Sequence, residues 1–224
     1  MRLGREAVFL KRRAMYLPEA FEERDPVEVE TVLRDYPLAC IVAQTQEGLV
    51  ANHIPLLMGP DGSLIGHVAL KNDIHRLLAP GQQVLAIFRG EDAYVTPNAY
   101  PSKPEHHRHV PTWNYQVVHA HGTITFQHDE TSKRAAVGLL TRDHERRLNG
   151  KAAWRMADAP ADYMTQMLGA IVAFRIAVTR VVAKSKLSQN REPRDHAAVT
   201  EDLDARGFGS LAGRMRRQGG RSVE

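Results

Sequence analysis

Leu38-Ala39-Cys40-Ile41-Val42-Ala43-Gln44-Thr45, Leu49-Val50-Ala51-Asn52-His53-Ile54-Pro55-Leu56-Leu57-Met58 and Ser63-Leu64-Ile65-Gly66-His67-Val68-Ala69-Leu70 follow one another as three short, apolar-rich runs. Glu47-Gly48 separates the first two, and Gly59-Pro60-Asp61-Gly62 separates the last two. Short β-type runs punctuated by such residues read as strands joined by tight turns, here an antiparallel meander. Upstream, Asp25-Pro26-Val27-Glu28 opens a helix: Asp25 caps, Pro26 suits the first helical position, and Glu28 stands where a capping-box acid belongs. Val29, Val32 and Leu33 give that helix its apolar face, which ends before Pro37. Downstream, Ile74, Leu77 and Leu78 predict a short helix within Asn72 to Ala79. Val84 to Phe88 and Ala93 to Thr96 are strands, and Pro97 to Pro111 is a long irregular loop with four prolines and three histidines. Tyr115 to Phe126 is a strand, Glu130 to Leu148 and Asp162 to Leu168 are helices, and Ile171 to Val182 is a long closing strand. Many antiparallel strands and few helices predict a mainly β (α+β) fold, a small barrel with helices packed outside.

Of the 224 residues, 43% are hydrophobic and 25% charged, which suits a globular chain. No stretch approaches the roughly 20 apolar residues of a membrane helix, so no membrane partner is expected. The single cysteine, Cys40, excludes an intramolecular disulfide and fits a reducing, cytoplasmic location. Its apolar setting suits a buried structural thiol. The formal charge is +4, and much of the excess sits at the ends: Arg2, Arg5, Lys11, Arg12 and Arg13, then Arg206, Arg214, Arg216, Arg217 and Arg221. The expected organisation is a basic N-terminal extension (1–14), a domain (15–190) and a polar, basic tail (191–224) that only Leu203, Phe208 and Leu211 can anchor. Both ends are expected to be accessory. Basic ends can hold nucleic-acid phosphates or lie solvated; no recognition helix, zinc-finger spacing or RNP-like motif says how DNA would be read.

A series of blocks carries a resemblance. Met15-Tyr16-Leu17-Pro18, Asn52-His53-Ile54-Pro55-Leu56, Gly66-His67-Val68-Ala69 with Asn72, and Ala93-Tyr94-Val95-Thr96-Pro97 occur in order. Tyr100-Pro101-Ser102-Lys103, Val110-Pro111-Thr112-Trp113-Asn114-Tyr115, Val118-His119-Ala120-His121-Gly122 and Lys184-Ser185-Lys186-Leu187-Ser188-Gln189-Asn190 follow. From about Met15 to Asn190 the chain resembles the PaiB-type FMN-binding negative transcriptional regulators. It departs at Asn72-Asp73-Ile74-His75, where the family pattern has a proline and an aromatic after the asparagine. The resemblance implies an antiparallel split β-barrel related to pyridoxamine-phosphate oxidases, a homodimer with FMN in the groove between subunits, and a DNA or regulatory-protein partner.

FMN needs cations or free N–H groups for its phosphate, a flat apolar slot for its ring, and positive charge near its pyrimidine edge. Tyr100, Ser102 and Lys103 offer a hydroxyl and an ammonium on a proline-stiffened loop, or else a plain surface turn. Lys71 and Asn72 follow a strand end, and the match of His67, Val68, Ala69 and Asn72 as a block favours a site over a solvated turn. Thr112, Trp113 and Asn114 can cover and edge a flavin, or pack as core. Asn52, His53 and His67 sit in strands and can line the slot. Lys184, Lys186 and Gln189 come after the expected last strand, either reaching a cofactor or lying in solvent. His119 and His121 share a strand face, with His106, His107 and His109 in the nearby loop. No carboxylate or cysteine completes a metal spacing, so no metal is assigned.

Two readings stay open at this level. One is a flavin-dependent regulator; the other is an enzyme, a flavin reductase passing hydride from a nicotinamide, for which the flavin itself supplies the chemistry. A haem-binding split barrel is a third.

Overall fold

The computed structural model describes residues 15–219, and in it the three opening runs are strands. Leu38–Thr45 (β1) and Gly48–Pro55 (β2) form an antiparallel hairpin with Leu38 opposite Pro55 and Thr45 opposite Gly48. Gly48 makes the turn at φ +119°, which a side chain rarely adopts. The second run then breaks: a two-residue strand, Leu57–Met58 (β3), starts after Leu56 and pairs with Leu64–Ala69 (β4). Three long strands, Gln82–Val95 (β5), Thr112–Gln127 (β6) and Ile171–Lys186 (β7), complete a seven-stranded sheet of order β2-β1-β5-β6-β7-β4-β3. Its two edge strands, β2 and β3, are consecutive in the chain with only Leu56 between them, and Leu56 is buried. No ladder joins these two edges, so the sheet is not closed by hydrogen bonds.

The molecule divides into two units, and β5, β6 and β7 contribute residues to both. The barrel unit comprises Leu33–Phe88 and His119–Val181. Its strands alternate as period two requires: Ala39, Ile41 and Ala43 face the interior from β1, Ala86 and Phe88 from β5, Ala120 and Ile124 from β6. Gly66 and Gly122 are glycine because the interior is full. A Cβ on Gly66 would come within 2.5 Å of the Phe174 ring, and one on Gly122 would run into the Ala177 carbonyl oxygen. Helix Glu130–Asn149 lays Ala136 and Leu139 on Ile65 and Ala173, and Asp129 caps it by accepting from the Ser132 N–H.

The helices are Pro26–Asp35 (α1), Ile74–Leu77 (α2), Lys103–His106 (α3), Glu130–Asn149 (α4), Ala161–Gly169 (α5), Pro193–Ala205 (α6) and Gly209–Gly219 (α7). Asp25 caps α1 as expected, its carboxylate accepting from the Val27 N–H at 2.9 Å. Glu28 makes no box; its carboxylate takes the Arg217 guanidinium at 3.1 Å.

The second unit, described over residues 15–32, 89–118 and 182–219, is where the structure departs from the sequence reading. The segment expected as a polar tail is two helices, α6 and α7, with a core of its own. Val199, Leu203, Leu211 and Met215 are fully buried against Ala93, Val95, Tyr100 and Leu187. Its arginines are not a free basic surface: Arg206 pairs with Asp202, Arg216 with Asp204 and Arg217 with Glu28. Arg221, and the extension 1–14 with its basic residues, lie outside the described residues. Two smaller differences matter for the site. Val84 to Phe88 and Ala93 to Thr96 belong to one continuous strand, β5, running through Gly90. The last strand extends to Lys186, so Lys184 and Lys186 are strand residues rather than followers of it.

Candidate functional site

In the barrel unit the expected site residues gather at the ends of β2 and β4. Asn72 donates from Nδ2 to Asn52 Oδ1 at 2.9 Å and accepts the Ile74 N–H on its own Oδ1. That pair ties two segments twenty residues apart and starts α2, so both amides have structural partners. His53 stands outward from β2 opposite Cys40. His67 is half-buried on β4, opposite Ala173 on β7. Burial pushes its pKa down, so the ring is neutral, and its buried Nδ1 has no partner in the chain. Val68 is core, Ala69 is exposed at the strand end, and Lys71 is exposed beyond it. On the outward face of β6, His119 and His121 are likewise kept neutral by burial and by Arg180. His119 Nδ1 and His121 Nε2 are buried and unpartnered. Among the described residues no three His, Cys, Asp or Glu side chains are grouped to hold a metal ion.

The second unit holds the others, divided between two places. Tyr100 and Ser102 are buried rather than displayed on a loop. Tyr100 belongs to the unit's core and stacks on His109 at 4.4 Å, with the Arg191 guanidinium over it at 5.0 Å. Ser102 donates its hydroxyl to Asp195 Oδ2 at 2.6 Å and its N–H to Oδ1 at 3.1 Å. His109 Nε2 is 2.7 Å from the same hydroxyl, which fits the tautomer protonated at Nε2. A serine, a histidine and an aspartate are therefore in contact, but not as a nucleophilic triad. The serine is fully buried, and the carboxylate binds the serine rather than orienting the imidazole. The group fastens the Tyr100–His109 segment to the start of α6. Burial raises the Asp195 pKa, but the two Ser102 hydrogen bonds, His109 and Arg194 outweigh it and hold the carboxyl below its ordinary value. Lys103, beside this latch, reaches Asn98 Oδ1 at 2.6 Å.

The other place is the outward face shared by β6 and β7. Trp113 and Tyr115 alternate outward from β6, and Lys184 and Lys186 from β7. Lys186 donates from Nζ to the Thr112 hydroxyl and to the Trp113 carbonyl. Lys184 is buried, with its Nζ 5.4 Å from both the Tyr16 and Tyr115 rings. Trp113 remains half exposed, edge-on to Tyr94 at 6.0 Å. The inward face of the same strands is a buried polar chain: Arg214 donates to Gln116, Gln116 to Ser185, and Ser188 to Asn114. Gln189 bridges the Leu187 N–H and the Ser185 carbonyl. Asn114 and Gln189 thus hold the strand ends in place, while Trp113 and Lys184 lie on the outward face, Trp113 half exposed and Lys184 buried. Arg191 and Asp195 escaped the sequence reading. The alternation Lys184-x-Lys186 was the one signal for this face, and it needed the strand to extend past Val182 to be read.

The curled seven-stranded sheet with outer helices is a split barrel. The chain belongs to the family described as "Putative FMN-binding domain", whose model matches residues 15–180, and so to the flavin-binding split barrels. It is 29% identical over 193 residues to "Protease synthase and sporulation protein PAI 2" of Bacillus subtilis, covering 84% of this chain and 89% of that protein. A protein of Aspergillus fumigatus is 28% identical over 240 residues, covering 86% and 92%. Among solved structures, the FAD and heme binding protein from Mycobacterium smegmatis superposes with a TM-score of 0.54 at 18% identity, covering 74% of this chain and 73% of that one. The flavocytochrome Anf3 from Azotobacter vinelandii gives 0.53 at 14% identity, covering 74% and 69%.

Proposed function

We propose that this chain is a cytoplasmic, FMN-binding homodimer that works as a PaiB-like regulator. The observation that carries the dimer is an apolar stripe on the outside of the barrel unit. Cys40 pairs with Ile87 and Val42 with Leu85 across β1 and β5, all four turned away from the interior and only half-buried. Leu38 extends the stripe and is 60% exposed, and His53 borders it through Cys40. Contiguous outward apolar rows on a sheet are costly in water and mark association surfaces. A split barrel that pairs through this face buries the stripe and places His53 beside its partner. In support of a flavin, His67 in the family-matched segment is neutral and has a buried ring nitrogen without a partner in the chain. Bound flavin would supply redox chemistry; the chain supplies the slot, the ring contacts and the exclusion of water. The test is light scattering with and without FMN, together with flavin fluorescence and an absorbance spectrum. A monomeric mass with no flavin quenching would overturn the proposal, and a Soret band would replace flavin with haem. Steady NADH consumption with FMN would replace the regulator with a reductase.

A further inference from the structure

We propose that His75 and His128 form an open, two-histidine site for a borderline divalent transition-metal ion: zinc, nickel or copper(II). The site lies in the barrel unit, where α2 meets the end of β6, and it does not depend on the flavin reading. Ring centroids of the two imidazoles are 5.4 Å apart. Two imidazoles on one tetrahedral ion, with metal–nitrogen bonds of about 2.0–2.1 Å, hold their centroids roughly 5 Å apart. The pair already stands at the separation that a shared ion requires. His75 falls in the stretch Asn72-Asp73-Ile74-His75, where the chain departs from the family pattern, so the site belongs to this chain and not to the family's cofactor groove.

The tautomer of His75 is set as that of a ligand is. Its Nε2 lies 3.0 Å from the Leu70 carbonyl oxygen. A carbonyl only accepts, so Nε2 carries the proton and the neutral ring keeps its lone pair on Nδ1. A histidine that binds metal through one nitrogen donates the other N–H to such an acceptor, which fixes the ring and strengthens the ligand. The acceptor is itself held, because the Leu70 N–H donates to the Ala170 carbonyl at 2.8 Å. The His75 backbone is anchored too: Asn72 Oδ1 accepts the Ile74 N–H at 3.1 Å, and Ile74 and Leu78 are buried. Phe126 meets the His75 ring edge-on at 6.2 Å and limits its rotation. His128 is exposed, and neither of its ring nitrogens has a hydrogen-bond partner among the described residues, so it can turn either one to the ion. Asp129, next in the chain, is held below its ordinary pKa by its Ser132 hydrogen bonds and adds a negative charge at the same corner. Arg76, beside His75 in sequence, has its charge engaged by Asp73 at 3.0 Å. Two protein ligands leave the remaining coordination positions to water. Binding would tie α2 to the β6–α4 corner, two segments distant in the chain.

The experiment uses the full chain without a histidine tag. Calorimetric titration with Cu(II), Zn(II) and Mg(II) measures stoichiometry and affinity, and thermal unfolding in Zn(II) with and without EDTA reads the stabilisation. Wild type should bind Cu(II) more tightly than Zn(II), as imidazole sites do, and should ignore Mg(II). His75→Phe keeps an aromatic ring against Phe126, and His128→Gln changes an exposed side chain. Each should weaken Cu(II) and Zn(II) by about tenfold or more, since loss of an outer-shell partner alone costs roughly 10–100-fold. Without metal, His128→Gln should melt with wild type. Paired His106→Gln and His107→Gln, on exposed positions of the second unit, serve as control and should leave the affinity unchanged. If that control removes binding while His75→Phe and His128→Gln do not, the ion sits elsewhere and the proposal falls. Unchanged affinity in His128→Gln, or no binding of Cu(II) and Zn(II) by wild type, overturns it equally. Should His75→Phe fail to fold, His128→Gln carries the comparison alone.

Discussion

The two units are built on different principles. Among the described residues, the barrel unit buries only two polar or charged side chains, Ser63 and Lys133. The second unit buries Ser102, Asn114, Gln116, Lys184, Ser185, Ser188, Asp195, Thr200 and Arg214. A dry interior is specified by size and alternation, and it tolerates exchange among residues of similar volume. A wet interior is specified by partners, and each lost partner leaves a buried group unsatisfied. The first kind of core is also assembled from distant strands, with Leu64 of β4 paired to Ile176 of β7. The second joins Ser102 to Asp195 and Gln116 to Arg214, 93 and 98 residues apart.

That contrast can be broken at its apolar side first. Leu203 is fully buried in the second unit, in the segment read from sequence as a tail. Leu203→Ala should cost about 2–5 kcal/mol, read as a large fall in the urea midpoint. An unchanged midpoint would restore the accessory tail.

A smaller loss is expected where the barrel has no room. Gly122→Ala pushes a methyl group against the Ala177 carbonyl of the neighbouring strand. Backbone cannot rotate away as a side chain can, so overpacking of about 1–3 kcal/mol is expected. Gly138→Ala on α4, where the nearest atom is the Met156 sulfur at 3.6 Å, serves as control and should be neutral or stabilising. Equal melting temperatures for Gly122→Ala and wild type would mean that the strands can separate at little cost.

The polar core is sharpened by acid. Because the Asp195 carboxyl is held below its ordinary value in the fold, its contribution is complete above the unfolded-state pKa of about 4 and disappears as pH falls through the lower folded value. Asp195→Asn should therefore be less stable than wild type at pH 7, and the difference should shrink as pH falls below the ordinary carboxylate value of about 4. A stability difference independent of pH would assign the loss to packing instead. Least of all should matter the ion pair beside it: Arg194 holds Glu105 with bonds of 2.5 and 2.6 Å, but both side chains are about half exposed. Arg194→Ala should leave the melting temperature within experimental error, because water and salt screen such pairs.

The sequence by itself determined the barrel. The apolar run Leu38–Thr45, the turn at Gly48 and the cap at Asp25 are local signals with local causes, and the elements stand close to where they were expected. Trp113 and Lys184 were singled out as candidates, but local sequence did not show that they share one strand face, because that needed β7 to run on to Lys186. Tertiary structure alone decided the rest. Phe208, Leu211 and Met215 have helical spacing, yet a stretch so rich in arginine looks solvated until Asp202, Asp204 and Glu28 are seen to pair its charges. Ser102 looked like a loop hydroxyl until Asp195 was found to take it. Whether a polar side chain is free for a ligand depends on which distant partner the fold brings to it, and no local pattern records that distance.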